Sequence, residues 1–263
     1  MFGDYKNLDD FKEQSGYTID GIWYPRVTKI VTIKAKPALY RYYGEAKSYK
    51  AAQEATEQSA KEGTMIHEAV EGLLLGQNPE IPDLIAPAVR AFQSFFERNN
   101  IQVTPELVER RIVNYDHRYA GTVDAVALIG GKLGVLDIKT SQAVYRDYCL
   151  QTSAYMDALK NDFHNLSTRW ILRIDQTQKC TKCGATRRVK GGREKIRIDW
   201  RSSQMKTCVH VWGDLQGEIE LQEFPYWQKD FEAFLGAKRL WEWENEDWLT
   251  RAGYLSSSSL LHR

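Results

Sequence analysis

The stretch from Tyr119 to Lys139, YAGTVDAVALIGGKLGVLDIK, decides the fold. Two apolar runs flank Gly130-Gly131, and a Gly-Gly pair between such runs predicts a β-hairpin because both positions can take positive φ. The predicted strands are Tyr119 to Ile129 and Leu133 to Lys139. Side chains alternate along a strand, so Asp137 and Lys139 project from one face about 7 Å apart at ~3.3 Å per residue. A simple register about the turn sets Asp124 near the open end, opposite Asp137, so two carboxylates and an ammonium can converge. Glu109, on a preceding predicted strand from Leu107 to Asn114, can supply a third carboxylate. Glu106 competes with it, but their odd spacing puts them on opposite faces, so at most one faces the site.

Working outward, the period changes from 2 to about 3.6 on both sides. Upstream, Ile66, Val70, Leu73 and Leu74 recur at helical spacing, and a second helix after Pro82 carries Leu84, Ile85, Val89, Phe92 and Phe96 on one face. Downstream come a helix from about Val144 to Lys160, a strand at Thr168 to Ile174, strand-like residues Glu218 to Glu223, and a last amphipathic helix with Trp227, Phe231, Phe234 and Trp241. Helices, a three-strand meander, a helix and further strands predict an α/β fold, a mixed central sheet flanked by helices. The serines Ser256 to Ser259 read as a frayed tail.

The chain has 263 residues, 43% of them hydrophobic, which is enough to fill a core. Its 36 Lys and Arg against 35 Asp and Glu exclude a highly basic nucleic-acid coat and an acidic disordered tail. The charge is unevenly placed: Lys179 to Lys206 holds 10 basic and 2 acidic residues, and Asp214 to Asp247 holds 3 basic and 10 acidic. No apolar run approaches the ~18 residues of a membrane span, and the N-terminus lacks the marks of a signal peptide. A soluble protein of the cytoplasm, in a bacterial or phage-infected cell, is expected.

Hard divalent cations take oxygen ligands, and Mg²⁺ takes only one or two carboxylates, leaving room for water and substrate phosphate. The Asp124, Asp137 and Lys139 cluster therefore suits phosphodiester hydrolysis. A metal would polarise the phosphate and lower the pKa of a bound water, with Lys139 stabilising the charge that develops. The bland reading is an exposed ion pair on an edge strand.

Further along, Gln151 and Tyr155 stand four residues apart on one helical face. With Tyr-Pro-x-Val-Thr-x-Ile at residues 24–30 and Gly63-Thr64-Met65-Ile66-His67, the ordered set resembles the PD-(D/E)XK nuclease superfamily, specifically its RecB-like branch. The resemblance spans about residues 24–160. It implies a restriction-endonuclease-like core, Asp124 and Asp137 as ligands of Mg²⁺ or Mn²⁺, Lys139 as the catalytic lysine, and Gln151 with Tyr155 near the DNA. His67 and Glu109 match the histidine and glutamate that complete many such sites. A neutral imidazole fits Mn²⁺ better than Mg²⁺, though His67 also shares a face with Val70 and Leu74, as a core histidine would. Where the family has a small residue after the N-terminal proline, this chain has Arg26.

Cys180-Thr-Lys-Cys183-Gly184 has the form of a zinc knuckle, and Cys208-Val-His210 offers a second pair. Along a strand Cys208 and His210 point the same way, so a closed, structural Cys₃His zinc site is expected. An iron–sulfur cluster, carried by some RecB-like nucleases, would use four cysteines with one upstream, but Cys149 on the Gln151 helix is the earliest here. Between the pairs lie Arg187, Arg188, Lys190, Arg193, Lys195, Arg197 and Arg201, a track for a phosphate backbone, with Trp200 placed to stack on a base. The domain reading is a nuclease core of residues 1–175 and 214–263 with a basic zinc-binding insertion at 176–213. The expected activity is metal-dependent DNA cleavage, as an exonuclease on DNA ends, with single-stranded DNA a candidate substrate. Its competitors are a non-catalytic nucleic-acid-binding scaffold and a structure-specific endonuclease.

Overall fold

The computed structural model describes residues 5–198 and 207–256. Helix α1 (Leu8–Ser15) starts at Asn7, whose side chain accepts the N–H of Asp10, and Asp9 and Asp10 in the first turn suit the positive end of the helix dipole. A short hairpin follows, β1 (Gly16–Ile19) and β2 (Ile22–Pro25), then α2 (Val27–Val31), which buries Val27, Ile30 and Val31. Three helices come next: α3 (Pro37–Glu45), α4 (Tyr49–Leu74, capped by Ser48) and α5 (Ala86–Arg98).

The meander is present as β3 (Gln102–Asn114), β4 (Tyr119–Ile129) and β5 (Lys132–Lys139). Gly130 and Gly131 both have positive φ (57° and 79°), and Ile129 pairs with Lys132 across them. The register runs on to Ala125 opposite Leu136, leaving Asp124 and Asp137 as the next facing positions, where the ladder stops. Helix α6 (Asp147–Leu159) crosses over and returns the chain as β6 (Leu166–Cys180), parallel to β5, as a crossover of this length requires. Strand β9 (Trp212–Glu223) pairs antiparallel along the other edge of β6, and α7 (Gln228–Glu244) and α8 (Glu246–Arg251) close the chain.

The expected mixed sheet is flanked by helices on both faces. One face packs Val123 and Val135 against Phe11, Ile30, Tyr155, Leu159 and Phe234. The other packs Ala125, Leu136, Ile138 and Leu172 against Ile66, Val70, Val89 and Phe92. Of the tryptophans near the acidic C-terminal end, Trp241 is buried and Trp248 stacks on Phe11, so those two serve packing, and Trp243 is exposed.

Strands β3, β6 and β9 each extend well beyond the sequence expectation. Strand β6 continues through Asp175 to Cys180, because β9 and a further hairpin, β7 (Thr186–Lys190) and β8 (Arg193–Arg197), supply partners for polar residues that carry no apolar pattern. Strand β7 takes over the edge of β6 where β5 ends, pairing Thr186 with Lys179 and Arg187 with Gln178. The tip of this hairpin rests on α4: the Gly191 N–H donates to Glu62 Oε1 at 3.0 Å. Gly191 has φ +60°, and a Cβ there would lie 2.3 Å from the Ala55 carbonyl oxygen, so both conformation and contact demand glycine.

Candidate functional site

The site forms where β4 and β5 part and α4 passes their ends. Helix α4 approaches closely because residue 63 is glycine; a Cβ there would stand 2.6 Å from Thr140 Oγ1. One turn further, His67 Nε2 lies 3.2 Å from Asp124 Oδ2. The same carboxylate oxygen accepts the Ile138 N–H at 2.6 Å, which ties β4 to β5 beyond their last ladder pair. Glu109 joins from β3 in left-handed backbone conformation (φ +47°), beside a register shift between Val103 and Val108. That conformation costs a non-glycine residue of the order of 1 kcal/mol. Glu106 is exposed, so Glu109 is the one that faces inward. The ligand atoms of His67, Glu109 and Asp124 lie within 4.8 Å of one another.

Asp137 is fully buried and stands outside that group of three. Its Oδ1 accepts from Lys139 Nζ at 2.8 Å and from Gln151 Nε2 at 3.0 Å. Its Oδ2 lies 2.7 Å from the same ammonium but off the hydrogen-bonding direction, and no other donor among the described residues reaches it. A buried carboxylate oxygen left without a hydrogen bond is costly in the absence of a further cationic partner. Lys139 Nζ also sits 5.2 Å from the centre of the Tyr148 ring.

The electrostatics follow from crowding acids in a dry place. Burial, then the charge of Asp124, raises the Glu109 carboxyl to about 7. Burial likewise lifts Asp137 to about 6, against the pull of Lys139. Burial would raise Asp124 too, but its bond to His67 and the nearby Lys139 hold it below the usual carboxylate range. His67 and Lys139 are both raised, their carboxylate neighbours outweighing the opposite effect of burial. Three carboxylates thus face one lysine and one histidine, and the mixed nitrogen and oxygen donors of His67, Glu109 and Asp124 suit a divalent cation such as Mn²⁺ or Mg²⁺.

Gln151 donates to both Asp137 and the Tyr155 hydroxyl, the latter at 2.9 Å. The placement of Tyr155 next to DNA needs correction: the side chain is 1% exposed and cannot touch a strand. It holds Gln151 instead, in a slot that requires Gly121, where a Cβ would come 2.6 Å from the Tyr155 ring.

The basic hairpin stands beside this site. Arg188, Lys190, Arg193, Lys195 and Arg197 share one face by strand alternation. All but Arg197 line a groove of about 510 Å³ with Arg41, Tyr42, Gln142 and the carboxylates Glu45 and Glu194. Two of the cations are committed internally. Lys190 is 8% exposed and donates to the Thr140 carbonyl, so direct phosphate contact is excluded in this conformation. Arg188 bonds Asp175 and the same carbonyl. Arg187 points to the opposite face, over Trp212 and against Gln178. Arg193 and Lys195 remain exposed. Arg41 and Tyr42 come from α3, a helix that the sequence reading did not mark. Trp200 and Arg201 lie outside the described residues.

At the far end of β6, Cys180, Cys183, Cys208 and His210 converge within 4.8 Å. The Cys180 and Cys208 sulfurs are 3.9 Å apart and Cys183 Sγ is 3.3 Å from His210 Nδ1. Tetrahedral zinc with ~2.3 Å bonds to sulfur wants S···S edges near 3.8 Å, so the four groups form a possible metal site. Gly184 turns the knuckle at φ +75°. Burial pushes the Cys180 thiol up, but the N–H groups of Cys183 and Lys182 and the His210 ring outweigh it and bring it down to about 5. Cys208 and His210 precede β9 rather than lying in a strand, yet their side chains still alternate in burial with Val209 and Val211. Cys149 is buried on α6, apart from this group.

No family model and no curated protein matches the chain. Among solved structures, a chain from Eubacterium rectale described as a "Putative exonuclease" aligns over 97% of this chain and 88% of its own, with 10% identity and a TM-score of 0.42. A likeness at that level bears on neither activity nor substrate.

Proposed function

We propose that the chain is a divalent-metal-dependent DNA nuclease of RecB-like type that works as an exonuclease on DNA ends. One observation carries the reading: His67, Glu109 and Asp124 gather beside the buried Asp137–Lys139–Gln151 chain, next to the basic hairpin that Lys190 fastens to Thr140. A surface ion pair would explain neither the strained Glu109 backbone nor a buried carboxylate with an unsatisfied oxygen.

In this proposal His67, Glu109 and Asp124 would hold Mg²⁺ or Mn²⁺, with Asp137 and its paired Lys139 alongside. The bound cation would polarise the scissile phosphate and supply a water of lowered pKa. Lys139, fixed by Asp137, presents its ammonium to the charge that builds on the phosphate, and Gln151 keeps Asp137 from rotating. The cations of β8 hold the backbone. The Cys₃His group holds a structural zinc within a basic segment, residues 176–213, that serves the core of residues 1–175 and 214–263. The setting is the cytoplasm, in recombination, repair or replication.

The test is digestion of end-labelled linear single-stranded and duplex DNA with Mg²⁺ or Mn²⁺, alongside closed circles, for the native chain and Lys139→Ala. Loss of linear substrate alone, reduced at least about 100-fold by the substitution, is expected from the usual cost of deleting one charge-stabilising donor. Cut circles would make it an endonuclease. Intact DNA throughout, with salt-sensitive binding, would leave a non-catalytic binding protein.

A further inference from the structure

Helix α3 is anomalous as a piece of packing. It carries Tyr40, Tyr42 and Tyr43, with Tyr49 opening α4 just beyond it, yet none of its described side chains is buried and none belongs to either core cluster. Tyr40 and Tyr49 are 63% and 61% exposed. Large rings are normally retained on a surface for contact with something else.

The rings are ordered rather than scattered. Tyr49 stacks on Tyr43 with ring centres 5.3 Å apart and planes 28° from parallel. The Tyr43 ring lies 5.6 Å from that of Tyr42, and the Arg193 guanidinium sits 3.5 Å over Tyr42. Tyr40 is three residues from Tyr43 and so on a neighbouring face. The row therefore runs from open surface into the basic groove, whose other wall carries Gln142 and Lys195. The groove borders Thr140, the residue after Lys139. Between Lys34 and Lys50 there are five basic residues and one acidic. Exposed rings at Tyr40 and Tyr49, a row of further rings behind them and cations alongside are the components of a surface that stacks unpaired bases while neutralising their backbone.

We propose that α3 and the start of α4 form a base-stacking subsite for unpaired DNA, with Tyr49, Tyr43 and Tyr40 taking bases and Arg193 and Arg41 the phosphates. This deepens the nuclease reading by naming the strand state that the site receives, but the binding it predicts needs no metal and no cleavage.

The test is fluorescence anisotropy in EDTA on the full chain, using a labelled oligothymidylate, an abasic oligonucleotide of equal length, and the matching RNA. The expected result is binding of the thymidylate at least fivefold tighter than the abasic strand. Tyr49→Ala and Tyr40→Ala should each weaken thymidylate binding about tenfold and leave abasic binding unchanged, with Tyr49→Phe restoring affinity. Both rings are exposed, so the substitutions leave the fold intact, which the melting temperature checks. Equal affinity for base-bearing and abasic strands, or no effect of the alanines, would overturn the subsite even if the chain cuts DNA. RNA binding as tight as or tighter than DNA would overturn the assignment to DNA. Base-dependent binding with no cleavage under any metal would retain the subsite and remove the nuclease.

Discussion

Lys190 donates its ammonium to the carbonyl oxygen of Thr140 at 2.6 Å, fastening the basic hairpin to the residue that follows Lys139. The bond is made inside the protein, and burial, then the nearby Arg188 guanidinium, lowers the Lys190 pKa to about 8.

A lysine depressed in the folded state costs stability while both states are protonated, and the cost is relieved as pH rises. Between about pH 8 and 10.5 the unfolded chain binds the extra proton, so folding becomes more favourable across that window. We expect the stability of the native chain relative to Lys190→Met to rise by up to about 3 kcal/mol from pH 7.5 to pH 10. Paired urea denaturations check this, and a difference that is flat with pH would place the ammonium in water.

Gly191 and Gly192 both have positive φ, but only Gly191 meets α4. Gly192→Ala should cost about 1 kcal/mol, from the left-handed backbone alone. Gly191→Ala must also displace the hairpin tip from the Ala55 carbonyl, for a total of about 2–4 kcal/mol. Melting temperatures give the comparison, and equal losses would mean that the tip is not docked.

Glu109 adopts a backbone conformation that asparagine tolerates better. Glu109→Asn should therefore raise the melting temperature by about 1–4 °C, from ~1 kcal/mol of relieved strain. It should also weaken Mn²⁺ binding measured by calorimetry at least about tenfold. Stability gained together with binding lost marks a residue kept for its ligand and not for the fold.

The purified chain should contain one zinc per molecule by elemental analysis, and Cys183→Ser should contain none. If the metal contributes only ~2 kcal/mol, its loss lowers the melting temperature by about 4–8 °C. A brown protein containing iron and labile sulfide would identify a cluster instead.

The parts most legible in the sequence were those with one strong local signal. Gly130-Gly131 located the turn, and with it the facing of Asp124 and Asp137, because a glycine pair between apolar runs leaves little choice of register. Gly191-Gly192 is the same signal, but its strands are rich in Arg and Lys and show no alternation of apolar and polar residues, so the hairpin went unread. Strand β6 was cut short at Ile174 for a related reason: Asp175, Gln176 and Thr177 are polar yet buried, and bond to Arg188, the Leu84 carbonyl and Glu218, which lie elsewhere in the sequence. The inward turn of Glu109 depends on a β3 irregularity that spacing alone does not reveal. The rings of α3 lie on the surface and none of them belongs to either core cluster, so a reading that looks for core-facing residues passes over them.

Strand β6 also acts as a gauge. Ile171 faces Asp137 and Cys180 lies nine residues further along one unbroken strand, so the Cys₃His group stands about 30 Å from the level of the carboxylates at ~3.3 Å per residue. Between Ile171 and Gln178, where the β9 ladder is regular, adding or deleting a single residue would turn every later side chain to the opposite face, against β7 on one edge and β9 on the other.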